Sequence, residues 1–130
     1  MLKKLLGLVA CLTASLVYAK QFTGEDLLED CQAAIKFLDA PTNNEYIING
    51  SMCMAYIDGF EDMHRIHSVL MDAKRYPKNL RMYCLPIAYT DLQLAKVIVK
   101  FLGENPGRIG VAASSLLIDA FAQAFPCPKA

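Results

Sequence analysis

The sequence predicts an all-α fold, a compact four- to five-helix bundle stapled by two disulfides. Three observations carry this. Apolar residues recur at the spacing of one buried helix face in four separate stretches. Start and stop residues bracket those stretches, with Thr23 and Thr90 at starts and Pro41, Pro106 and Pro126 at ends. Four cysteines follow an N-terminal segment of the kind that directs export.

The chain has 130 residues, enough for one domain. Met1-Leu2-Lys3-Lys4 is a basic start, Leu5 to Val17 is apolar or small, and Val17-Tyr18-Ala19 carries small residues where a signal peptidase reads. Cleavage is expected after Ala19, leaving 111 residues as a single domain over 20–130. The apolar run falls short of the ~20 residues that span a bilayer, so no membrane association is expected once it is removed. Leu8-Val9-Ala10-Cys11 resembles a lipoprotein processing site, but Cys11 lies inside the apolar run, which disfavours lipidation there.

After Lys20 to Thr23, the first helix is expected from about Gly24 to Ala40. Thr23 and Asp26 mark its start, acidic residues fill its first turns, and Leu27, Leu28, Cys31, Ala34, Ile35 and Leu38 form its apolar face. Pro41 stops it. The second helix starts between Glu45 and Ser51, with a face of Met52, Cys53, Tyr56, Ile57, Phe60, Met63, His67, Leu70 and Met71. Gly59 in its interior costs about 1 kcal/mol relative to alanine. A close crossing by another helix is the expected reason for it.

Lys74 to Tyr89 is irregular, broken by Pro77 and Pro86 and rich in tyrosine and basic residues. Thr90 and Gln93 then form a capping box for a third helix with Leu94, Ala95, Ile98, Phe101 and Leu102 inward. Pro106 ends that helix, and Gly107 and Gly110 are expected to let the chain reverse. The last helix buries Val111, Ala112, Ser115, Leu116, Ala120, Phe121 and Ala124. A short connection makes these two helices antiparallel, so Cys84 and Cys127 come to the same end of a hairpin.

Outside the cytosol, Cys31, Cys53, Cys84 and Cys127 read as disulfides, and four cysteines permit three pairings. Cys84–Cys127 follows from the hairpin, provided the Cα atoms lie within about 7 Å. Its complement is Cys31–Cys53. Antiparallel packing of two long straight helices opposes that bridge; a steep crossing after the connection permits it.

The remaining features exclude more than they assign. The mature chain holds 11 basic and 13 acidic residues with no basic stripe, which disfavours nucleic acid. His64 and His67 sit three apart, but no other histidine and no ligand motif completes a metal site. They read as His67 at the edge of the apolar face and His64 in solvent. Asp58, Glu61 and Asp62 read as a solvated face. With the cysteines bridged, no thiol nucleophile remains. No Gly-x-Ser-x-Gly and no phosphate loop is present. Neither an enzyme nor a cofactor is expected.

In order, the chain carries Asp26-Leu27-Leu28-x-x-Cys31, Cys53-x-x-Tyr56-Ile57-x-Gly59, Cys84-Leu85-Pro86, Thr90-x-x-Gln93-Leu94, Phe101-Leu102-x-x-Asn105-Pro106 and Ala120-Phe121-x-x-Ala124-Phe125-Pro126-Cys127. This series resembles the Rap/Tai immunity proteins of type VI secretion systems across essentially the whole mature chain. The resemblance implies a periplasmic helical protein, often a homodimer. Its partner would be a peptidoglycan amidase effector with a cysteine–histidine site, blocked by a loop entering the substrate groove. The resemblance transfers no inhibitor residues. Exposure points instead to Glu104, Asn105 and Arg108 on the Gly103–Gly110 turn. Arg75, Tyr76 and Arg81 on the preceding irregular segment are the second choice. The alternative from another class is a periplasmic acid-stress chaperone that opens at low pH and needs no toxin partner.

Overall fold

The structure, a computed structural model, describes residues 20–74 and 80–128. Four α-helices occur among them: α1 (Gly24–Lys36), α2 (Asn44–Ala73), α3 (Asp91–Glu104) and α4 (Ala113–Ala124), with a 3₁₀ turn at Pro106–Arg108 between the last two. No helix among the described residues is long and apolar enough to cross a membrane. The expected signal segment through Ala19, with Cys11, lies outside the described residues, as do Arg75 and Tyr76.

The local start signals act as expected. Thr23 and Asp26 form a capping box on α1, and Thr90 and Gln93 form one on α3. Asn43 caps α2 by accepting from the Tyr46 N–H at 3.1 Å. The first N–H groups of α1 find partners far away in sequence. Gly24 N–H donates to the Val111 carbonyl at 2.9 Å and Glu25 N–H to the Ile109 carbonyl at 2.8 Å, while Ala113 N–H at the head of α4 donates to the Phe22 carbonyl at 3.0 Å. Two helix N-termini, each with orphan donors, thereby satisfy one another through the strands of chain that precede them.

α1 packs chiefly on α2 and then on α3, and α3 packs on α4. Leu27, Cys31, Cys53, Ile57, Leu94, Ile98, Leu102, Leu116, Leu117 and Phe121 fill the core. Tyr83, from the irregular segment, is buried among them and is the largest fully buried side chain. It meets Phe121 edge-on, with ring centroids 5.3 Å apart.

Both favoured disulfides are present. Cys31–Cys53 has a Cα separation of 5.0 Å and Cys84–Cys127 one of 4.9 Å. The first bridge is possible because α1 ends at Lys36, earlier than the expected Ala40. Cys31 then lies in the last two turns of α1 and Cys53 in the third turn of α2, both near the connection. The early end leaves Leu38 in solvent rather than on a buried face.

The glycines correct two expectations. A side chain at Gly59 would meet nothing within 4 Å, so no helix crosses there; the close crossing is at Gly50, where a Cβ would come within 2.9 Å of the Ala34 Cα. Gly107 and Gly110 also face open space, and neither has a positive φ. The reversal before α4 rests instead on Asn105 and Pro106. In α4 the inward positions are Ala113, Leu116, Leu117, Ala120 and Phe121, while Val111, Ser115 and Ala124 are exposed.

Candidate functional site

Two surface features stand out, at opposite ends of the α3–α4 hairpin. The first is a cleft of about 690 Å³ between the middle of α2, residues 81–89 and the head of α3. Tyr83 organises it. Its ring stacks on His64 with centroids 3.9 Å apart. Its hydroxyl donates to Glu61 Oε1 at 3.0 Å, and the Tyr89 hydroxyl donates to the other carboxylate oxygen at 3.3 Å.

Burial raises the Glu61 pKa above the ordinary carboxylate value; the two tyrosine hydroxyls act against the shift and the Asp91 charge adds to it. Asp91 is raised too, by burial and by its neighbour Asp58. His64 is 8% exposed, and burial lowers its pKa, with His67 and Arg81 adding to the shift. Its Nδ1 and that of His67 are buried without a hydrogen-bond partner. Arg81 grips both oxygens of Asp72, at 2.7 and 2.6 Å, which ties the segment to the last turn of α2. Arg65 pairs with Asp62 at the rim.

The second feature is the tip that joins α3 to α4. Gly103, Glu104, Pro106, Gly107, Arg108, Gly110 and Val111 are all exposed. The tip is nonetheless held firmly. Asn105 Nδ2 donates to the Phe101 carbonyl at 2.8 Å, which satisfies an orphan acceptor at the end of α3. Arg108 pairs with Asp119 of α4 and lies 5.9 Å over the Phe101 ring. The carbonyls of Ile109 and Val111 are bonded to the head of α1.

The model of the Rap1a immunity proteins matches residues 23–127. The chain belongs to the Rap1a immunity protein family. No curated protein and no solved structure matches it. Membership in a family of immunity proteins implies that the chain binds a cognate effector protein. The matched span begins at the cap of α1 and ends at the last bridged cysteine, so the family pattern covers the bundle described above.

For an immunity protein, what matters is which side chains are free to meet a partner. The structure does not gather Glu104, Asn105, Arg108 and Arg81 into one patch. Glu104 and Arg108 stand on the tip, Asn105 turns inward to cap α3, and Arg81 is clamped on Asp72 in the last turn of α2. The histidine expectation is corrected at His64, which is buried against Tyr83 rather than in solvent; His67 is half-buried, as the edge of an apolar face should be. Glu61 is no member of a solvated face, because Tyr83 draws it inward. Tyr83 itself, read as part of a surface connection, is core. The cluster was missed because Tyr83 comes from 22 residues further along the chain. Its one sequence signal was an aromatic residue directly before the bridged Cys84. Among the described residues, no group of three histidine, cysteine or acidic side chains is placed to hold a metal ion.

Proposed function

We propose that the chain is an exported immunity protein that binds and occludes a peptidoglycan amidase effector of a type VI secretion system. It works by shape rather than by catalysis. The signal segment is removed after Ala19, and residues 20–130 act in the periplasm as one domain, with a homodimer as part of the same reading. The observation that carries the binding mode is the tip: an exposed turn whose backbone is already fixed by bonds to α1 and by the Arg108–Asp119 pair. A loop ordered before binding loses little entropy when it enters a groove. Glu104 and Arg108 are its polar contacts, with the Arg75–Arg81 segment as the second contact.

Against the acid-opened alternative stands the sign of the cleft carboxyls. Glu61 and Asp91 are raised by burial, so their protonation favours the folded state rather than loosening it.

The test titrates a type VI secretion peptidoglycan amidase effector calorimetrically with residues 20–130. Glu104→Ala with Arg108→Ala is expected to weaken binding at least tenfold with the melting temperature unchanged, since an exposed ion pair contributes at most about 1 kcal/mol. Asp119→Asn breaks the same pair but keeps both contact side chains, and is expected to weaken binding less than the double variant does. Full affinity in the double variant removes the tip from the interface.

A further inference from the structure

The cleft between α2 and the head of α3 holds more negative charge than its own basic residues neutralise. Asp58 and Glu61 line it from α2, and Asp91 from the first turn of α3. Among the described residues, none of the three forms a salt bridge. The two arginines that line the cleft are already engaged, Arg65 by Asp62 and Arg81 by Asp72. Asp58 lies close enough to Asp91 to push its carboxyl toward the protonated form. A cation placed between them would relieve that repulsion.

His64 supplies a second, separate sign of an occupant. It lines the same cleft, is only 8% exposed, and its Nδ1 is buried without a hydrogen-bond partner. Burial favours the neutral ring, in which one nitrogen is an acceptor. Carboxylates beside an unfilled acceptor suit a positively charged group that also carries N–H donors. A lysine ammonium or an arginine guanidinium has both. A bare metal ion suits the cleft poorly, because among the described residues no three histidine, cysteine or acidic side chains are placed to hold one.

The rim separates a protein side chain from a free solute. Ile87 is 108% exposed and stands wholly clear of the chain, between the cleft residues Pro86 and Tyr89. A single exposed isoleucine is ordinary. This one rides on a stretch fixed at both ends. Cys84 is bonded to Cys127 and its N–H donates to the Phe125 carbonyl at 2.9 Å, while the Tyr89 hydroxyl donates to Glu61. A projection ordered in advance loses little entropy on docking. A solute amine would use the hollow alone, whereas a protein surface can fill the hollow and receive the projection together.

We infer that this cleft receives a lysine or arginine side chain of a partner protein, and that Ile87 enters an apolar pocket beside it. The inference rests on the chain's binding an effector protein, and it is independent of the α3–α4 tip at the other end of the hairpin.

Two measurements test it. Isotope-labelled residues 20–130 are titrated by NMR with the blocked tripeptide Gly-Arg-Gly and with its citrulline counterpart, which keeps the shape and lacks the charge. The arginine peptide is expected to give saturable shifts at the amides of Glu61, His64 and Asp91, with a dissociation constant on the order of millimolar. The citrulline peptide is expected to give none. Asp58→Asn with Asp91→Asn abolishes the saturation and leaves the melting temperature unchanged. In the calorimetric titration with the amidase effector, that double variant and Ile87→Asp are each expected to weaken binding about tenfold, and the double variant also flattens the salt dependence. Equal shifts from both peptides, or full effector affinity in both variants, overturn the inference and leave the tip reading standing. Saturation by the arginine peptide with full effector affinity in the double variant overturns it in favour of a free solute cation. An effector that does not bind the unaltered chain overturns the proposed function, and the peptide pair still decides the cleft.

Discussion

The two halves of α2 live in different surroundings. The first half is clamped: Gly50 lies against the Ala34 backbone, Cys53 is bonded to Cys31, and Ile57 is fully buried. The second half meets the bundle along one narrow line. Phe60 and His64 lie against Tyr83, and Asp72 holds Arg81, while Met63, Ile66, Val69 and Leu70 face solvent. The cause is a mismatch of length. α2 has 30 residues and its main partner α1 has 13. Apolar periodicity continues along both halves, but periodicity reports only that a face exists, not that something covers it.

The largest effect should come from cutting the clamp. Replacing Cys31 and Cys53 together by alanine is expected to cost about 3 kcal/mol in urea unfolding, given a loop of this length. A loss below about 1 kcal/mol shows that the first half of α2 is held by packing rather than by the bridge.

Next comes Gly50→Ala. Its methyl group would meet backbone, which cannot swing aside as a side chain can. Overpacking of this kind is expected to cost about 1–3 kcal/mol, read as a lowered midpoint with an unchanged slope. Little or no loss implies that α1 slides along α2 and that the first half is less rigid than drawn.

The second half should announce itself through pH. Glu61 has a folded pKa above its unfolded value. It therefore favours folding increasingly as pH falls through that raised value, and the contribution is lost as pH rises. His64 has the opposite sign: its folded pKa is depressed, so its stabilising contribution is complete above about 6.5 and fades as pH falls below that. Melting temperature is expected to dip as His64 titrates and recover as Glu61 takes up its proton. Glu61→Gln abolishes the recovery and leaves the dip. A parallel curve in the variant removes Glu61 as the source.

The smallest effect is Gly59→Ala, the counterpart of Gly50→Ala one helix turn pair away. With open space around it, alanine is expected to add up to about 1 kcal/mol. A destabilised variant contradicts the open surroundings at that position.

The legible parts of this chain were the local ones. Thr23, Thr90 and Gln93 announce their helices through groups three residues apart, and Pro106 stops one by its own ring. The Cys84–Cys127 bridge was legible because a short connection dictates an antiparallel hairpin. What escaped was every choice decided at a distance. Gly50 and Gly59 look alike in sequence, and the early end of α1 determines which one meets a neighbour. His64 reads as a solvent residue beside the apolar face, yet Tyr83 stacks on it and buries it. Glu61 looks like a surface carboxylate until the same tyrosine pulls it in. For the site, Glu104 and Arg108 were found by their place on a turn, whereas the inward bond of Asn105 to Phe101 is a property of the finished helix end.

The bonds between the head of α1 and the carbonyls of Ile109 and Val111 also tie the start of the described chain to a point close to its end. Cys31 and Cys53 are 22 residues apart and close a short loop. The Gly24 and Glu25 N–H groups, which the local capping box does not serve, find their acceptors nearly ninety residues later. That seam therefore needs nearly the whole described chain in place, whereas the Cys31–Cys53 loop needs only its own residues.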